Sequence, residues 1–147
     1  MPEKKKRNAK YFLTVDKPNL KLPPYRHTMN PEFVKRIVQL DKETVPGAEF
    51  YSEAMWIMPG DKSPKGMTHM DSHTHTWGEF IGFFGFNYDD IQDLGGEVEF
   101  WLEDEMFMLD KSFLVYIPAG MVHCPLVTHS QTIPTFHYTI GPGHKYE

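Results

Sequence analysis

The segment His73–Glu79 reads HTHTWGE, which places three potential metal ligands within a short stretch of chain. Successive side chains on a strand point to opposite faces, so His73 and His75 would share a face, with their Cβ atoms about 6–7 Å apart. Imidazoles at this spacing can bind one cation together. Glu79 follows at an even number of residues, and an uninterrupted strand would return its carboxylate to the same face. The segment therefore predicts a strand that carries a metal site with nitrogen and oxygen ligands.

A second segment, Pro118–His123, offers a fourth ligand and reads PAGMVH. Pro118 and Gly120 predict a tight turn, after which His123 would point back into the interior. Two imidazoles and a carboxylate leave coordination positions open on most divalent metals, which is typical of catalytic sites. A structural zinc site would more often use several cysteines, and this chain has only Cys124.

Together, the two segments resemble the two motifs of the cupin family. In that family, HxH is followed by three or four residues and then Glu, as in His73–Glu79, and the second motif, PxGxxH, matches Pro118–His123. The resemblance covers residues 50–140 and implies an all-β fold, the cupin-type double-stranded β-helix or jelly-roll barrel. The metal ligands implied by the resemblance are His73, His75, Glu79 and His123.

The rest of the sequence also favours β structure, because short aromatic and β-branched runs alternate with turn signals. We predict strands over residues 49–58, 72–86, 97–109 (with a turn near Glu103), 111–118 and 132–140. The intervening residues 61–71 and 87–96 are rich in Gly, Pro, Asp and Asn, which predicts loops.

Residues 1–30 are polar and proline-rich, which predicts an extended N-terminal arm ahead of a single cupin β-barrel domain over residues 31–147. The basic start, MPEKKKRNAK, predicts a solvated terminus and shows no apolar segment of a secretory leader. Within the arm, residues 10–15 predict one short strand. Asn30-Pro31 suits the start of a helical turn, and residues 33–41 either continue that turn or form a strand.

Four further residues are candidates for contact with a substrate, each with a structural alternative. His69 either contacts substrate or is a polar residue at the barrel rim. His137 is the most plausible acid or base, because Phe136 and Tyr138 would face the other way; otherwise it is a hydrogen-bonded structural histidine. Two aromatic residues either line the pocket or belong to the core: Tyr116 and Trp101.

Composition restricts the class of protein. The chain has 147 residues, 40% of them hydrophobic and 24% charged, which is typical of one globular domain. The net charge of −5 argues against nucleic acid as the main partner. The sequence contains no run of 18 apolar residues, so it predicts no membrane span. The single cysteine is consistent with a cytoplasmic location.

These observations predict a metal-dependent cupin enzyme that acts on a small polar organic substrate. We expect one divalent transition metal per chain, with Fe(II) favoured and Mn, Zn, Ni or Co as alternatives, because affinity alone does not select among them. Dioxygenase-like oxidation is slightly favoured over isomerisation, lysis or decarboxylation. The alternative class is a cupin that binds or senses a small ligand without turnover. The resemblance to small cupins, which often form dimers by exchanging or augmenting N-terminal strands, implies a homodimer, and the extended arm over residues 10–25 is consistent with it, although the arm can equally wrap its own barrel.

Overall fold

A computed structural model of the protein describes residues 6–142. Within that range the fold is all-β, and apart from one 3-10 turn at Ala9–Tyr11 its regular elements are strands. The strands are β1 (Val34–Leu40), β2 (Tyr51–Ile57), β3 (Met67–Met70), β4 (Glu79–Gly85), β5 (Asp93–Leu102), β6 (Glu105–Lys111), β7 (Phe113–Ile117), β8 (His123–His129) and β9 (Thr135–Gly141). The start of the basic terminus and the end of the C-terminal tail lie outside the described residues.

The strands form two antiparallel sheets that face each other, which is the jelly-roll arrangement. The five-stranded sheet has the order β1-β2-β9-β4-β7, and the four-stranded sheet has the order β3-β8-β5-β6. Strict alternation of buried and partly buried residues along β2 and β9 fixes which residues point inward. His137 points inward while Phe136 and Tyr138 point outward.

The interior is divided between an apolar region and a polar region. The apolar core includes Ile81, Phe83, Val98, Phe100 and Leu126, all essentially inaccessible to solvent. Burying each such side chain stabilises the fold by about 1.5–3 kcal/mol. The buried polar side chains on the strands include Glu53, His69, Glu79, His123 and His137.

Several sequence-based boundaries differ from the structure. Residues 72–78, including both histidines of HTH, form a loop before β4 instead of a strand. The predicted loop 61–71 contains β3, which pairs with β8. The predicted strand at residues 10–15 is absent from the described chain, where Ala9–Tyr11 forms the 3-10 turn. A short segment forms a strand where it pairs with a distant strand, as β3 does with β8, and forms a loop or turn where such pairing is lacking.

The ambiguity at residues 33–41 is resolved in favour of strand β1, which pairs with β2. Asn30 begins a turn instead of a helix: its side chain accepts a hydrogen bond from Glu32 N, and its carbonyl accepts one from Phe33 N.

The arm joins its own barrel. The backbone N–H of His27 donates to His69 O at 3.0 Å, and that of Asp71 donates to Tyr25 O at 2.8 Å. Residues 25–27 therefore extend the four-stranded sheet beyond β3 by one short segment, with Arg26 opposite Met70.

Candidate metal centre

The two sequence motifs meet through the main chain. His73 N donates to His123 O at 3.0 Å, and His123 N donates to His73 O at 2.9 Å. The turn at Gly120 adds a third link, since its N–H donates to His75 O at 2.8 Å. Gly120 has φ +82°, a conformation that glycine adopts without steric cost. Backbone pairing thus brings three histidines from two distant segments to one place.

Hydrogen bonds to the backbone fix the orientation of two of the rings. His73 Nδ1 lies 2.7 Å from Asp71 O, and His123 Nδ1 lies 3.0 Å from Met121 O. A carbonyl oxygen only accepts, so both Nδ1 atoms carry the proton and both Nε2 atoms hold a lone pair. Within residues 6–142, those two Nε2 atoms are buried and make no hydrogen bond.

The ligand atoms of the three histidines converge. One nitrogen of each of His73, His75 and His123 lies within 4.8 Å of the other two. Glu79 lies beside them, with Oε1 3.5 Å from His123 Nε2 and Oε2 3.7 Å from His75 Nε2. The structure therefore brings together all four residues that the sequence motifs single out.

The electrostatics of the cluster fit a divalent cation. Burial lowers the pKa of His73 to about 3, and the neighbouring His123 and His75 act in the same direction, so the imidazole is in the neutral form that binds metals. Burial also raises the pKa of Glu79 above its usual value, although His123 opposes the shift. A bound cation would compensate for a buried carboxylate and accept the inward lone pairs. These donors fit a transition metal with mixed nitrogen and oxygen ligands.

Aromatic rings form the walls of the cluster. Tyr25 stacks on His73 with ring centroids 3.6 Å apart and planes 9° apart. Trp77 stacks on His75 at 4.2 Å and 6°. Tyr51 donates a hydrogen bond to Glu79 Oε2. None of these three residues could be identified from the motifs as part of the site; only Trp77 has a local signal, since it lies inside HTHTWGE.

His69 and His137 are both buried, and neither belongs to the histidine cluster. His69 Nε2 lies 2.9 Å from Thr128 Oγ1, and burial lowers the pKa of His69 to about 3. His137 Nδ1 donates to Gly82 O at 3.0 Å, its ring stacks on Phe83, and burial lowers its pKa to about 4. His69 is thus an interior residue of β3, not a polar residue exposed at the rim.

Tyr116 and Trp101 do not line the interior, which corrects the expectation that they face a pocket. Tyr116 is 67% exposed on the outer face, and a Cβ at Gly78 would come within 2.5 Å of its hydroxyl oxygen. Trp101 points outward with Glu99, to which its Nε1 donates at 2.8 Å. In each strand the alternate residues, Ile117 and Phe100, are the ones that point inward.

A buried ion-pair network lies on the inner face of the five-stranded sheet. Glu53 accepts a hydrogen bond from Arg26 at 2.9 Å and one from Arg36 at 2.7 Å, and Arg36 also pairs with Asp16 at 2.9 Å. Burial alone would raise the pKa of Glu53, but the two guanidinium groups outweigh it and lower the pKa below its usual value. The network connects the arm, β1 and β2.

Comparison with solved structures identifies the fold. Over 83% of this chain and 67% of the other, the structure superposes on a cupin-superfamily sugar phosphate isomerase from Silicibacter pomeroyi, with 14% sequence identity and a TM-score of 0.50. The protein has the cupin fold. An oxalate oxidase in complex with glycolate is a second cupin-like neighbour, with a TM-score of 0.54, 15% identity, and coverage of 99% of this chain and 65% of the other.

The cupin fold alone does not give the activity of this chain. A third structure, a cysteine peptidase from Thevetia peruviana latex, matches at 10% identity with a TM-score of 0.52, covering 82% of this chain and 68% of that one. These neighbours are named as an isomerase, an oxidase and a peptidase. No protein-family model and no curated protein sequence matches the chain.

Proposed function

We propose that this cupin is a metal-dependent enzyme that acts on a small polar organic substrate. The observation that carries the proposal is the convergence of His73, His75 and His123 beside Glu79, with backbone carbonyls holding two of the Nδ1 atoms. Hydrogen bonds from the nitrogen that does not bind the metal orient histidine ligands in metalloproteins. One metal per chain is proposed, with Fe(II) favoured and Mn, Zn, Ni or Co as alternatives.

A catalytic role is favoured over a structural one by the donor set. Three imidazoles and one carboxylate leave positions open on a five- or six-coordinate metal, where a substrate binds. A structural zinc site would more often use several cysteines, whereas this chain has only Cys124, which is buried in the apolar core. When bound, the metal would polarise a chelating substrate or, as iron, bring it together with O2.

The chain's own residues would hold and shield the reacting groups. His137 is neutral near pH 7, because burial lowers its pKa to about 4, and it is the proposed acid or base. His69 is the proposed interior contact for substrate. Dioxygenase-like oxidation is proposed ahead of isomerisation, lysis or decarboxylation.

The second candidate is a cupin that binds or senses a small ligand without turnover. It is supported by the ion-pair network between the arm and β2, because Arg26 and Glu53 hold each other and are therefore poor candidates for acid–base chemistry. One experiment separates the two candidates. Bound metal is quantified by elemental analysis, and oxygen uptake and product formation are followed with small carboxylates, diketones and thiols. Stoichiometric metal with turnover supports the enzyme, and stoichiometric metal without turnover across the panel supports the sensor.

We also propose a homodimer. On β2, β9, β4 and β7, the outward positions carry no charge within residues 6–142: Ser52, Ala54, Trp56, Phe136, Tyr138, Ile140, Phe80, Gly82, Phe84, Leu114 and Tyr116. We call this surface the aromatic face. Two copies of a chain with a net charge of −5 can appose this face without repulsion between like charges.

Among the described residues, no helix is long and apolar enough to cross a membrane. A cytoplasmic location and the absence of a nucleic-acid partner remain part of the proposal, on the basis of the single cysteine and the acidic net charge.

A further inference from the structure

The N-terminal arm contributes a residue to the candidate metal centre. Tyr25 lies parallel to the ring of His73 and presents its edge to His75, with centroids 5.9 Å apart at 68°. No motif points to Tyr25, because it lies about fifty residues before His73 in the sequence. Its ring covers one face of the His73 ring.

Asp71 connects the arm to His73 by hydrogen bonds. Its backbone N–H donates to Tyr25 O at 2.8 Å, and its carbonyl accepts the Nδ1–H of His73 at 2.7 Å. The carbonyl that fixes the tautomer of His73 is therefore itself held by the arm. A displacement of residue 25 would shift both the stacked ring and the acceptor of Nδ1.

Two further contacts fasten the arm in this position. Arg26 pairs with the buried Glu53 at 2.9 Å, and His27 Nε2 lies 2.8 Å from Asp71 Oδ1. The backbone N–H of His27 also donates to His69 O. Three consecutive arm residues thus each make a specific contact, which is more than packing of an arm against a barrel requires.

We propose that Tyr25 is a positioning residue that holds His73 in its metal-binding orientation, so that arm docking and metal binding stabilise each other. This inference rests on the metal site proposed above. Its physical basis is that stacking and the Nδ1 hydrogen bond restrict rotation of the ring before the metal arrives. Coupling between the two events is reciprocal, so metal must strengthen arm docking by the factor by which docking strengthens metal binding.

The test uses Co²⁺ as the probe, because its visible absorption bands report ligand geometry. Metal-free native protein and the variants Tyr25→Leu, Tyr25→Phe, Tyr11→Leu and His75→Ala are titrated with Co²⁺. We expect Tyr25→Leu to bind Co²⁺ about 10- to 100-fold more weakly, with altered bands, as for other changes beside metal ligands. Tyr25→Phe keeps the ring and should restore native affinity and bands. Tyr11→Leu alters an exposed tyrosine elsewhere in the arm and should match the native protein.

The outcomes separate the inference from the proposed site. Native affinity and bands in Tyr25→Leu, together with loss of binding in His75→Ala, overturn the positioning role and leave the metal site standing. No Co²⁺ binding by the native protein overturns the metal site itself.

A second measurement needs no variant. Trypsin cleavage after Arg26 requires release of its buried side chain from Glu53, so the cleavage rate reports arm opening. We expect saturating Co²⁺ to slow cleavage of the native protein at this bond. An unchanged rate at full Co²⁺ occupancy contradicts the coupling.

Discussion

Trp77 lies face to face with His75, with ring centroids 4.2 Å apart and planes 6° apart. The same indole presents its edge to Tyr51 at 5.2 Å, and Tyr51 in turn donates to Glu79. Two candidate ligands therefore share one aromatic wall. This wall depends on Gly141, where a Cβ would lie 2.5 Å from Tyr51 Cε1 and 2.7 Å from Trp77 Cζ3.

We predict that Gly141→Ala damages the metal centre through this wall. The added methyl group must displace the buried ring of Tyr51 and the partly buried ring of Trp77, and overpacking of this kind costs about 1–3 kcal/mol of unfolding free energy. Metal affinity should fall as well, because Tyr51 and Trp77 position Glu79 and His75. Urea unfolding and a metal titration of the variant measure the two effects.

A matched control is Gly47→Ala, where no atom lies within 4 Å of the added Cβ although the backbone has φ +88°. We expect this variant to lose stability through backbone strain while keeping native metal affinity. Equal metal affinities in the two variants contradict the role assigned to the wall.

The site was only partly predictable from sequence, and the reason is physical. The segments HTHTWGE and PAGMVH identify the four clustered residues, because the spacing of ligands within each motif can be read from the local sequence. Tyr25, Tyr51 and Trp77 were missed because their contacts depend on tertiary packing. Tyr116 and Trp101 were assigned inward, but the direction of a strand residue depends on register with its partner, and one residue of shift reverses it.

The fold was predictable in class but not in every boundary. Alternation along residues 132–140 predicted that His137 faces away from Phe136 and Tyr138, and the Pro118–Gly120 turn occurs as expected. The histidines of HTH lie in a loop because only His73 pairs there, as an isolated bridge to His123. Such a bridge connects segments fifty residues apart, which periodicity cannot reveal.

We predict that the metal-free protein loses stability below pH 6.5. Burial lowers the pKa of His69 to about 3 and that of His137 to about 4, both below the ordinary value of 6.5. The unfolded chain therefore takes up protons first as the pH falls. Each histidine removes about 1.4 kcal/mol of unfolding free energy per pH unit below 6.5, until its folded-state pKa is reached.

Urea unfolding at pH 7.5 and 5.5, in the presence of a chelator, measures this loss. The Glu53 carboxyl, whose pKa is lowered, loses its contribution only below its ordinary value of 4.5, outside this interval. His137→Gln should show a smaller pH dependence than the native protein. Identical pH dependence in His137→Gln and the native protein would show that His137 does not cause the loss.

We predict that Arg26→Met lowers the free energy of unfolding more than a substitution of an exposed arm residue does. Glu53 would keep Arg36 alone, and loss of one charged hydrogen bond to a buried carboxylate costs about 1–3 kcal/mol. A double-mutant cycle with Glu53→Gln should show strong coupling in unfolding free energy. Additive effects of the two substitutions would exclude an energetic link between arm and β2.

We predict that Leu114→Lys on the aromatic face disrupts the dimer. The control is Met108→Lys on β6, since the two side chains are 59% and 44% exposed. In sedimentation velocity, the native protein and the control should run as dimers and Leu114→Lys as a monomer. A monomeric native protein at micromolar concentration, or a dimeric Leu114→Lys, contradicts the proposed surface.

Elemental analysis of the purified protein tests the histidine cluster most directly. The native protein, His123→Ala and His129→Ala are compared after reconstitution with Fe(II) and removal of free metal. We predict about one metal per chain in the native protein and in His129→Ala, and almost none in folded His123→Ala. Equal metal content in all three proteins, or none in the native protein, would contradict a metal centre at these residues.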